Sequence, residues 1–131
     1  MASTGSIVET FQGYRRVRTI WLAWTSAADG TVSGIPTQRK YSGELLRVDF
    51  APGAAAVQPT NLYGVALIDD ASLDVLQGKG ANLSNVNASS ICPLIGDGTT
   101  TDRPVAIDGN LTLAVSAAGD AKAGTVKLYF R

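Results

Sequence analysis

Histidine is absent from the 131 residues, which removes the commonest general base, the commonest metal ligand and the usual switch near neutral pH. A Ser-His-Asp site is therefore impossible in this chain, although a Ser-Lys arrangement stays open. Cysteine is almost as scarce: Cys92 stands alone, so no internal disulfide can support the fold. It lies in the apolar stretch Ile91-Cys92-Pro93-Leu94-Ile95 and reads as a small buried hydrophobe. Long apolar runs are missing as well. Nothing approaches the roughly 18 to 20 consecutive apolar residues that a membrane helix needs. The first fifteen residues hold no signal-peptide core, so the chain is read as made and folded in a cytoplasm. On that reading the patterns at Asn82-Leu83-Ser84, Asn87-Ala88-Ser89 and Asn110-Leu111-Thr112 are chance matches to the glycosylation motif.

Net charge is also missing. Eleven basic and eleven acidic residues cancel, which argues against a chain whose main work is neutralising nucleic-acid phosphates or anionic lipid. Hydrophobic residues, by contrast, make up 45% of the sequence, enough for the core of one domain and too many for general disorder.

That apolar content is arranged with period two. Leu111, Leu113 and Val115 form one row and Val126, Leu128 and Phe130 another, with Thr125, Lys127, Tyr129 and Arg131 facing out. The two runs read as an antiparallel hairpin. Ile20, Leu22 and Trp24 share one face of a strand whose other face carries Trp21 and Ala23. Both faces of that strand are apolar, which places it centrally or against a partner. Leu46, Val48 and Phe50 are expected inward, with Arg47 and Asp49 outward, and residues 62–69 read as a core strand. Residues 38–42, 84–90 and 105–107 are weaker strand candidates. Only residues 71–77 read as helix, from Leu73 and Leu76 at i, i+3 and a stop at Gly78. Residues 1–13 show no pattern and are expected to be an N-terminal arm, disordered until it docks, ahead of a domain over 14–131. Strands divided by Gly/Pro/Asp turns predict an all-β protein, an antiparallel β-sandwich or jelly-roll-like single domain with one short helix.

No constellation of reactive groups stands out. Asp69, Asp70 and Asp74 read as caps of the short helix, and residues 96–102 as a solvated loop without EF-hand spacing. Gly78-Lys79-Gly80 lacks the spacing of a phosphate loop. Neither an enzyme, nor a cofactor, nor a metal is expected. The sharper signal is the cluster Arg15-Arg16-Val17-Arg18 behind Phe11 and Tyr14, because arginine and aromatics are enriched in protein contacts. Phe11, Tyr14, Arg15, Arg16, Arg18, Trp21 and Trp24 are the candidate interface residues.

Residues 105–131 carry the pattern Asp108-Gly109, Leu111-Thr112-Leu113, Val115, then Ala118-Gly119, Ala121-Lys122, Gly124-Thr125-Val126, Leu128-Tyr129 and Arg131. That pattern, with residues 41–50 and 63–69, resembles small β-rich virion structural proteins encoded among the head genes of tailed bacteriophages. The resemblance implies a capsid decoration or cement protein that binds the outer face of the major capsid protein shell. It further implies a homotrimer located on the virion, with no nucleic-acid or membrane partner. Two alternatives are a head–tail connector or tail component, and a carbohydrate-binding β-sandwich module using Trp21, Trp24 and Tyr63.

Overall fold

Strands with one apolar face dominate the computed structural model, which describes residues 5–13, 16–96 and 102–131. In chain order they are β1 (Ser6–Gln12), β2 (Arg18–Thr25), β3 (Val32–Pro36), β4 (Tyr41–Pro52), β5 (Gly64–Ile68), β6 (Ser89–Ile91), β7 (Leu94–Gly96), β8 (Asp102–Gly109), β9 (Thr112–Ser116) and β10 (Ala123–Phe130). They form a seven-stranded sheet of order β1-β2-β10-β4-β8-β7, in which β6 also pairs with β4, and a three-stranded sheet β3-β9-β5. Every pairing is antiparallel. The two sheets pack as a β-sandwich, with Leu22, Val48 and Leu128 of the large sheet and Leu67, Leu113 and Val115 of the small one in a single core.

Both C-terminal rows face that core as expected, but they do so from opposite sheets. β9 pairs with β3 and β5, whereas β10 pairs with β2 and β4, so no hairpin forms. Residues 117–122 cross from one sheet to the other through left-handed backbone at Ala117, Gly119 and Ala121. The buried Ser26 hydroxyl pins this crossing, donating to the Gly119 carbonyl at 2.6 Å and accepting from the Lys122 N–H at 2.9 Å. Alternation reports which face of a strand is apolar; it does not report which strand lies beside it.

The expected arm is a strand over most of its length. Ser6–Gln12 pairs with β2 in unbroken register, turning Ile7, Glu9 and Phe11 inward. Glu9 interrupts the apolar row and hides its period. It is accommodated because the Tyr41 hydroxyl donates to its Oε2 and the Gln38 N–H to its Oε1 at 2.6 Å.

Residues 71–77 are not helical; among the described residues the one helical element is a single 3-10 turn at Ala55–Val57. Asp69 Oδ1 accepts from the N–H groups of Ala71 and Leu73. Asp74 takes those of Leu67, Leu76 and Gly78. These aspartates hold turns in place of capping a helix. Val75 and Leu76 are buried side by side while Leu73 is exposed, which breaks the i, i+3 face.

Two smaller corrections follow the same logic. A register shift against Tyr129 and Phe130 bulges β4, so Leu45 enters the core and Leu46 is only half-buried. Cys92, just after β6, is exposed.

Candidate docking surface

The outer face of the seven-stranded sheet has no element over it among the described residues, and register sets its side chains in rows. Across β1, β2, β10, β4 and β6 one row reads Thr10, Trp21, Lys127, Asp49 and Ser90. The next reads Gln12, Thr19, Tyr129 and Arg47. Period two within each strand and neighbouring strands within the sheet bring these residues together from widely separated stretches of sequence.

The two rows interlock. The Lys127 ammonium lies 4.3 Å from the centre of the Trp21 ring and 4.7 Å from that of Tyr129, and the Arg47 guanidinium lies 4.0 Å from the Tyr129 ring. Arg47 pairs with Asp49 at 3.1 Å, and the Ser90 hydroxyl donates to Asp49 at 2.6 Å. Partial burial raises the Asp49 pKa, but hydrogen bonds from Ser90 and Tyr129 and the Arg47 charge outweigh it and hold the carboxyl below its ordinary value. Lys127 has no carboxylate partner among the described residues. The ridge thus presents Arg47 neutralised by Asp49, Lys127 unneutralised, and two half-buried aromatic rings.

Grooves flank this ridge. One, of about 510 Å³, is lined by Gln12, Arg16, Val17, Thr19, Trp21, Lys127 and Tyr129. The other, of about 380 Å³, runs along Trp21, Asp49, Ser89, Ser90, Lys127 and Tyr129. Each contains a hydroxyl without a hydrogen-bond partner, Thr19 in the first and Ser89 in the second. Beyond them the face flattens into the small side chains of Ala23, Thr125 and Ala51, with Val8 exposed at its β1 end.

The chain matches no protein-family model, no curated protein and no solved structure.

Of the seven residues singled out in the sequence, two belong to this surface. Trp21 forms its ridge and Arg16 lines its larger groove. Phe11 and Arg18 sit on the inner side at one end of the sandwich. There Phe11 packs against Tyr41 and Phe130, Arg39 covers the Phe11 ring at 4.2 Å, and Arg18 covers Phe130 at 4.6 Å while donating to the Ser42 carbonyl. Trp24 is 1% exposed and packs against Tyr63, also 1% exposed, with ring centres 5.7 Å apart. Trp24 is therefore a core residue and no interface candidate, and neither it nor Tyr63 can stack on a sugar. Tyr14 and Arg15 lie outside the described residues.

Lys127, Tyr129, Arg47 and Asp49 were absent from the sequence candidates. Their outward orientation was legible from alternation; their adjacency to Trp21 was not, because it depends on β10 inserting between β2 and β4.

Proposed function

We propose that this chain is a non-catalytic structural protein that docks onto another protein through the outer face of its seven-stranded sheet. The observation that carries this reading is the outward-facing ladder Trp21–Lys127–Tyr129–Arg47, with Lys127 unneutralised. Rigid aromatics beside cations supply contact area and charge-assisted hydrogen bonds at low cost in side-chain ordering. The flat, small-residue half of the face lets a broad surface approach closely. The virion setting rests on the resemblance of residues 41–50, 63–69 and 105–131 to head proteins of tailed phages. On it, the partner is the major capsid protein, the role is capsid decoration or cementing, and copies group as homotrimers on the shell. Each copy needs only modest affinity when many bind one shell.

Co-sedimentation with shells of the major capsid protein encoded in the same genome tests the proposal. The intact chain is expected to pellet with shells and raise their disruption temperature, while the Trp21→Ala/Lys127→Ala variant stays in the supernatant. Failure of the intact chain to pellet overturns the capsid reading, and equal pelleting of the variant overturns the assignment of the face.

A further inference from the structure

We propose that the outer edge of β1 pairs with β1 of a second copy, antiparallel and centred on Val8, to join two seven-stranded sheets across a two-fold axis. An open sheet edge offers unsatisfied N–H and C=O groups, and folded proteins guard such edges. Several other edges among the described residues are guarded. β5 is covered by the turns that follow it, with the Val65 N–H donating to the Gly80 carbonyl and the Val75 N–H to that of Leu67. β3 is interrupted by Gly34, Pro36 and a shift in register. β6 and β7 are three residues each, with Pro93 between them and Pro104 facing Leu94.

β1 is not shortened, interrupted or covered among the described residues, and its one charged side chain, Glu9, points inward and is satisfied by Tyr41 and Gln38. It runs seven residues in unbroken register, with no proline, glycine, lysine or arginine, and nothing among the described residues pairs with its outer edge. Val8 on this strand is 66% exposed. The strand is also held in place by the Tyr41 and Gln38 hydrogen bonds to Glu9, so it is ordered before any partner arrives.

Charge and parity select the occupant and the register. The chain is neutral overall, so two copies do not repel at long range. Centring on Glu9 gives the longest overlap but sets two carboxylates opposite each other. Centring on Val8 sets Val8 against Val8, Ser6 against Thr10, and Ile7 against Glu9, which covers the exposed valines and separates the acids. A contact of this size lies at the low end of specific interfaces, so the dimer dissociates on dilution. It rests on the edge of β1 and not on the Trp21–Lys127–Tyr129–Arg47 ridge, although Val8 and Thr10 lie on the same face of the sheet, and it does not depend on the capsid reading. A two-fold contact in solution is also distinct from a three-fold grouping imposed by a shell.

Light scattering behind a sizing column, over roughly a hundredfold range of concentration, is expected to show a mass rising from 13.6 kDa towards twice that value. Val8→Lys is expected to weaken association at least about tenfold, with an unchanged circular dichroism spectrum because the side chain is exposed. In a Cys92→Ser background, Val8→Cys is expected to form a disulfide-linked dimer under mild oxidation, and Thr10→Cys is not. A monomer at every concentration, or a discrete trimer, overturns the pairing; capture through Thr10→Cys in preference to Val8→Cys overturns the register.

Discussion

Gly124 is a core position where the packing leaves little room, and Gly124→Ala measures how little. It lies opposite Trp24 across β2 and β10, and the indole folds over it. A methyl group at Gly124 would stand 2.5 Å from Trp24 Cζ2, 2.8 Å from Cε2 and 3.0 Å from Nε1. Carbon atoms rest about 3.5–4.0 Å apart, so the ring must retreat by about 1 Å. It has nowhere to go, since Trp24 is 1% exposed and packs on Tyr63 at 5.7 Å. Overfilling a close-packed core costs about 1–3 kcal/mol, and replacing glycine within a strand returns about 0.5–1 kcal/mol. The net expectation is a loss of about 1.5 kcal/mol. At about 2.1 cal/mol/K per residue, a chain of this length unfolds with an entropy of about 0.28 kcal/mol/K, so Tm falls by about 5 °C. Urea unfolding followed by tryptophan fluorescence provides the free energy, and thermal circular dichroism the temperature. Gly124→Ala/Trp24→Leu should lose less than the sum of the two single variants, because the smaller side chain vacates the contested space. A Gly124→Ala chain as stable as the parent would refute the packing argument.

Asp74→Ala removes the acceptor for three backbone N–H groups and is expected to cost about 2–4 kcal/mol, read as a lower urea midpoint. Burial, first of all, raises the pKa of both Tyr41 and Tyr63, and Glu9 adds to the effect at Tyr41. A phenol held neutral in the fold contributes fully below its unfolded pKa of about 10 and loses that contribution as pH rises above it. Stability should therefore decline in alkali above about pH 10, with a shallower slope in Tyr41→Phe, measured by urea titrations at successive pH values. Lys127→Ala should change stability by less than about 1 kcal/mol, since cation–π contacts near the surface are worth about that much. Its effect belongs in the docking assay, and a large loss of fold stability would show that the ridge is structural.

Face assignment was legible wherever the apolar row was uninterrupted: Ile20, Leu22 and Trp24, and Val126, Leu128 and Phe130, all lie in the core as read from alternation. It failed at β1, where Glu9 occupies an inward position, and at Leu45, where a bulge reverses the parity. The reading of 71–77 failed because Asp69 and Asp74 offer the backbone a local alternative to helix. Strand neighbours were not legible at all. They depend on a crossing pinned by Ser26, whose partners are Gly119 and Lys122 some 93 and 96 residues away. The docking face suffered the same limit. Trp21 was visible as an outward-facing aromatic, and the adjacency of Lys127, Tyr129 and Arg47 to it became visible only once β10 was placed.

That placement also has consequences for the order in which the fold can form. β10 is the bridge between β1–β2 and β4–β8, and its residues, 123–130, are synthesised after all of those strands. Until they leave the ribosome, β2 and β4 each have one apolar-flanked edge waiting for a strand encoded about 70 to 110 residues downstream. Folding of the large sheet is thus a late, non-local event with a high entropic barrier, and β1 paired with β2 is the part that can form early. Nascent chains halted before residue 123 would hold two unjoined half-sheets, each with a free edge open to the wrong partner.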